Sequence, residues 1–128
     1  MSYYFAKTVD GGFDEAIERV TEALKEEGFG ILTEIDVKAT FKKKLDIEVP
    51  PYRILGACNP HFAYQALQAE DKIGTMLPCN VIVREAGPGQ VEIAAVDPIA
   101  SMQAVENEQL GGIAQEVRSR LQHVIEQV

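Results

Sequence analysis

Two periodicities divide the chain. Residues 3–9 open with aromatic and β-branched side chains and predict a first strand. The next apolar positions are Phe13, Ile17, Val20 and Leu24, with Ala16 and Ala23 beside them. That spacing of four, three and four is helical, and Glu15, Glu18, Arg19, Glu22, Lys25 and Glu26 occupy the opposite face. Gly28 stands where a left-handed helix end is expected, which would let Phe29 fold back onto Leu24. Residues 30–35 predict a second strand carrying Ile31, Leu32 and Ile35. Asp36 is placed to cap a short helix with Val37, Phe41 and Leu45 four residues apart, and Pro50-Pro51 stops whatever precedes it.

Residues 52–58 (YRILGAC) read as a well-buried third strand that runs into Asn59-Pro60, an N-cap followed by proline at the first helical position. The helix beginning there puts Phe62, Ala63, Ala66 and Leu67 on one face. Residues 81–86 and 91–96 are strands joined at Gly87-Pro88-Gly89, a hairpin turn, and Asp97-Pro98 ends the second. Residues 99–109 are ambiguous, with a turn of helix around Ser101 and Met102. Ile113, Val117, Leu121, Val124, Ile125 and Val128 form the stripe of a long last helix, whose wet face lets Glu116 and Arg120 pair. The order β-α-β-(α)-β-α-β-β-α implies an α+β two-layer α/β sandwich: a mixed, mostly antiparallel five-stranded sheet with helices on one face. A dinucleotide-binding reading fails, because Gly11-Gly12 lacks the third glycine and the acidic residue about 20 positions on.

The 128 residues suit a single domain spanning 1–128, and 46% hydrophobic against 25% charged residues is an ordinary globular balance. No apolar run approaches the ~18 residues of a membrane span, and the first residues do not read as a signal peptide. Twelve Lys and Arg against twenty Asp and Glu leave a net charge of −8. A nucleic-acid backbone repels such a surface, so no nucleic-acid or membrane partner is expected. The one basic cluster, Lys42, Lys43 and Lys44 with Lys38 nearby, falls near a helix C-terminus, where the dipole favours cations. A phosphate-binding patch is the other reading. Two cysteines, Cys58 and Cys79, are too few for a disulfide framework and suit a reduced, cytoplasmic protein.

Phosphate-loop, HExxH, GxSxG and CxxC signatures are absent, nothing names a cofactor, and Glu70-Asp71, Glu106 and Glu108 read as solvated surface. His123 falls on the polar side of the last helix. Chemistry concentrates in Leu55–Gly56–Ala57–Cys58–Asn59–Pro60–His61 and Met76–Leu77–Pro78–Cys79–Asn80–Val81. Three readings stand side by side. Both cysteines are small buried hydrophobes; or Cys58 is a reactive thiol, its pKa lowered by the helix end that follows it; or Cys58 and His61 form a CxxH pair, with Cys79 as a further soft ligand for zinc or copper. Whether the two cysteines meet depends on strand pairing, since parallel strands would set them at opposite ends and antiparallel ones would bring them together. Arg53, within an otherwise apolar strand, either points to solvent by alternation or binds an anionic ligand on the sheet.

Three segments, EEGFGILTEIDV, ILGACNPHFAYQAL and IGTMLPCNVIVRE, occur in that order over nearly the whole chain. Together they resemble the bacterial and archaeal family called domain of unknown function 302. The resemblance implies a small α/β sandwich and a homodimer, with no established activity. Its pattern falls on Gly28, Phe29 and Gly30, on Cys58, Asn59 and Pro60, and on Pro78 and Cys79, with His61 outside it. The functional expectation is a cytoplasmic homodimeric binding or sensing module, thiol- or metal-dependent, using Cys58, Asn59, Cys79 and Arg53. The alternatives are an enzyme with Cys58 as nucleophile and His61 as its base, or a purely structural partner protein.

Overall fold

The computed structural model describes residues 2–128. Five strands, β1 (Tyr4–Asp10), β2 (Gly30–Asp36), β3 (Tyr52–Cys58), β4 (Cys79–Gly87) and β5 (Gln90–Val96), form one sheet in the order β1-β5-β4-β3-β2. Every pairing is antiparallel, so the expected sheet is realised in its fully antiparallel form. Helices α1 (Phe13–Glu26), α2 (Val37–Leu45), α3 (Pro60–Ala69), α4 (Pro98–Ser101) and α5 (Gln109–Gln127) connect or follow them, with a 3₁₀ turn at Ile73–Met76.

The stripes found in the sequence build the core. Ala16, Val20, Ala23 and Leu24 of α1 and Val117, Leu121, Val124 and Ile125 of α5 bury against Leu55, Ala57, Cys79, Val81, Val83, Val91, Ile93 and Ala95. The strand residues in that list alternate along their strands, so one sheet face takes both helices. A second cluster of Ala66, Ile73 and Leu110, flanked by Leu77 and Met102, sits where α3 and the start of α5 meet.

The end of α1 forms as its glycine predicts. Gly28 adopts φ 86°. Its N–H donates to the Lys25 carbonyl at 3.0 Å, and the Phe29 N–H donates to the Leu24 carbonyl at 2.9 Å. These two bonds close a Schellman motif and turn Phe29 into the core. Asp36 caps α2 by accepting from the Ala39 N–H at 2.9 Å. The strict alternation expected of β2 does not hold, because the register shifts between Ile31 and Thr33 and leaves Leu32 exposed. A bulge of this kind accommodates two consecutive apolar residues with only one inward position between them.

Among the described residues, no equivalent stripe of buried helix residues covers the second sheet face. Ala6, Ala94, Ile82, Ile54 and Ile35 stand opposite one another in turn, an apolar row crossing all five strands. A neighbouring row holds Thr8, Glu92, Arg84 and Tyr52, with Arg84 donating to Glu92 at 2.7 Å. Among the described residues no helix is long and apolar enough to cross a membrane.

Candidate functional site

The antiparallel pairing of β3 with β4 settles whether the cysteines meet. Cys79 stands directly opposite Ala57, so Cys58 at the end of β3 and Cys79 at the start of β4 share one end of the sheet. Both are free thiols, Cys79 buried and Cys58 half-buried. They line a single pocket closed by α3 on one side and by Met102 and the first turns of α5 on the other. Its remaining wall is largely hydrocarbon, including Phe29, Ala66, Leu110 and Val117. The cavity volume of the pocket is about 40 Å³. One water needs ~10–15 Å³ on that measure, so the interior takes a few small atoms rather than a drug-sized molecule.

Burial governs the thiols. Loss of solvation raises the Cys58 pKa, and it pushes Cys79 up to about 11, with the nearby Cys58 adding to the shift. Desolvation acts against the thiolate that the helix end beside Cys58 would favour. An activated nucleophile needs the opposite shift. Alkylation followed by mass spectrometry should therefore find Cys58 reacting more slowly than a free thiol at pH 7.5, and Cys79 unreactive until the protein unfolds. Rapid modification of Cys58 at that pH would contradict this ordering.

Asn59 does not cap α3 with its side chain. Its Nδ2 instead donates to the Glu27 carbonyl at 3.4 Å, and Arg120 Nη1 donates to the same oxygen at 3.1 Å. Arg120 is held in turn by Glu116 at 3.1 Å and lies over the Phe62 ring at 5.2 Å. The buried Asn59 amide is thus spent on joining the α1–β2 turn to α3, and a Cβ at Gly28 would come within 3.0 Å of it. Asn59 lines the pocket while serving as its brace.

Two expected members lie elsewhere. Arg53, five residues before Cys58, is about 17 Å away along the strand. Its guanidinium pairs with Glu34 at 2.6 Å and Asp36 at 3.4 Å and sits 5.9 Å from the Phe13 ring centre. Two carboxylates already meet its charge, so it is neither a solvated residue nor a free anion site. Replacing Arg53 by methionine should leave the pocket intact and change stability by less than about 1 kcal/mol, as partly exposed pairs do; urea denaturation would measure this. His61 is exposed on the first turn of α3, and among the described residues no three His, Cys, Asp or Glu side chains gather to hold a metal. The Cys58–His61–Cys79 set is therefore not assembled. His123 lies 3.4 Å from Glu27. Of the lysine cluster, Lys42 pairs with Asp46 at 2.6 Å and Glu48 at 3.2 Å, which raises its pKa.

The wall made by Met102, Leu110 and Val117 was not visible as a site in the sequence. Leu110 and Val117 continue the stripe of α5, and such a stripe looks the same whether it fills a core or bounds a cavity.

A family model described as a domain of unknown function, DUF302, matches residues 5–128. The chain belongs to the DUF302 family. The crystal structure of an uncharacterized conserved DUF302 protein from Bacillus stearothermophilus is similar over 99% of this chain and 98% of that one, at 29% identity and a TM-score of 0.90. No curated protein matches the chain. The three DUF302-like segments converge in space: Phe29, Cys58, Asn59, Pro78 and Cys79 all border the pocket, and Gly28 and Gly56 provide the close approaches, to Asn59 and Pro78 respectively.

Proposed function

We propose that this DUF302 protein is a single-domain, cytoplasmic, homodimeric module that binds or senses a small apolar or soft ligand in the pocket at Cys58 and Cys79. The observation that carries the reading is the convergence of three distant segments on one hydrocarbon-walled pocket with two thiols in its lining. Small-molecule sites are concave, mostly apolar and placed between elements. The free space favours an occupant of a few atoms. Two free thiols at adjacent strand ends suit a reducing compartment.

Xenon is a suitable probe, since it is a single atom that dry apolar cavities take up. Amide and methyl NMR shifts should move at Phe29, Ala66, Met102 and Val117, and Ala114→Phe, which fills the pocket from α5, should abolish them. Shifts confined to the other sheet face, or none at all, would defeat the reading.

The apolar row on that other face supports the homodimer. Ile35, Ile54, Ile82, Ala94 and Ala6 lie beside a shallow groove lined by Tyr3, Tyr4, Tyr52 and Ile82, and solvent would leave this surface unsatisfied. A second copy presenting the same face is self-complementary about a two-fold axis. Sedimentation should give a dimer for the native protein and a monomer for Ile82→Asp, with the fold retained. A native monomer at tens of micromolar would remove this part of the proposal.

A further inference from the structure

Three sulfur-bearing residues from three separate parts of the fold line the same pocket: Cys58 from the end of β3, Cys79 from the start of β4, and Met102 from the residue after α4. We propose that Cys58, Cys79 and Met102 form a site for a soft monovalent cation, Cu(I) in chemistry and Ag(I) as its stable analogue. This rests on the binding reading of the same pocket and names its occupant.

Softness of the donors selects the metal. Thiolate and thioether ligands favour Cu(I), whereas calcium and magnesium require oxygen and zinc takes four ligands from cysteine, histidine and carboxylate. No cluster of three His, Cys, Asp or Glu side chains exists among the described residues, so a closed zinc site is not available from them. A two- or three-coordinate ion needs no such cluster, and methionine supplies the third donor.

Charge balance points the same way. One thiol loses its proton to water and its sulfur bonds the cation, so the thiolate–metal unit is neutral, and no electron moves. The second thiol and the thioether coordinate through lone pairs. A bare thiolate is penalised among the hydrocarbon side chains that line this pocket. A neutral sulfur–metal unit escapes that penalty, whereas a dication would leave net charge in the hydrocarbon wall unless both thiols ionised. The cavity, about 40 Å³, is also too small for an extended organic ligand.

The test uses the reduced full-length protein, titrated without oxygen with Ag(I), or with Cu(I) against a colorimetric Cu(I) chelator. Native mass spectrometry counts the ions and near-ultraviolet absorption reports thiolate-to-metal charge transfer. One ion per chain is expected, with Cys79 protected from alkylation in partly denaturing urea. Cys58→Ser and Cys79→Ser should each abolish the chelator-resistant ion, and Met102→Leu, which keeps the volume, should weaken it about tenfold without abolishing it. If Cys79→Ser binds as well as the native protein, the ion is a surface adduct of Cys58 and the proposal falls. If Cys79→Ser does not fold, alkylation protection in the native protein and the Met102→Leu affinity decide alone: no protection, or no effect of Met102→Leu, overturns the three-sulfur site. Xenon separates the two readings. Xenon uptake without a bound ion sinks the metal site and leaves the pocket reading standing, while the absence of xenon uptake and of a bound ion together sinks both.

Discussion

Gly56→Ala should destabilise the protein by about 3 kcal/mol, the upper part of the range for forcing atoms into a filled space. A Cβ at this position would lie 2.1 Å from Thr33 Oγ1 and 2.7 Å from Pro78 Cγ. The threonine hydroxyl can turn away, but the proline ring is rigid and leads directly into β4. Relief therefore requires β4 to shift where Cys79 begins, at the wall of the pocket. Thermal denaturation should show a fall of about 10 °C for a chain of this size. Thr33→Ala removes one of the two collisions and should recover part of the loss when combined with Gly56→Ala, a coupling expected of residues in contact. The same shift should open Cys79 to alkylation in the folded Gly56→Ala protein. A loss below 1 kcal/mol, or a double variant no more stable than the single one, would show that the close approach is accommodated elsewhere.

The second large effect is alkaline. Cys79 has its pKa raised from 9.0 to about 11 on folding, chiefly by burial. Below pH 9 the thiol is protonated in both folded and unfolded chains, so its contribution to stability is fully present there. As pH rises from 9 towards 11, the unfolded chain releases its proton while the folded one retains it, and unfolding is favoured with each step. Stability from this group should fall across that window by about 3 kcal/mol, at 1.36 kcal/mol for each pH unit of displacement. Cys79→Ala removes the titration, so the difference in stability between native and variant should narrow steadily from pH 8.5 to 11. Cys58→Ser should preserve most of the effect, because burial outranks the neighbouring thiol as its cause. A constant difference across the window would mean that Cys79 is solvated on the timescale of the folded state.

Much of this architecture is legible in the residues themselves. The stripe of α1, the Gly28 turn, the Asp36 cap and the Gly87-Pro88-Gly89 hairpin each depend on contacts within a few residues, and each is found where local spacing places it. The two segments containing cysteine were also visible as the places to examine. Their roles were not, because a role depends on what crosses the chain. Asn59 reads as a helix cap from its neighbours, yet its amide is taken by a carbonyl 32 residues earlier in the sequence. Arg53 reads as a solvated or ligand-binding cation, yet two carboxylates on β2 claim it.

The electrostatics of the thiols follow the same division. A helix N-terminus after Cys58 is a sequence feature, and alone it lowers a thiol pKa. How deeply the sulfur is buried is a property of α3, α5 and two strands together, and that burial acts in the opposite direction. The sequence by itself determined the five strands, the main helices, their order, the acidic composition and the family, because hydrophobic period, turn chemistry and charge are written in neighbouring residues; it left residues 99–109 open and did not show the turn at Ile73–Met76. Only the tertiary structure decided that β3 and β4 run antiparallel, that two thiols and a thioether share one pocket, and that Arg53 and His61 stand outside it. Those facts arise from pairing and packing between residues far apart in the chain, where the free energy of burial is set by partners that no local pattern names.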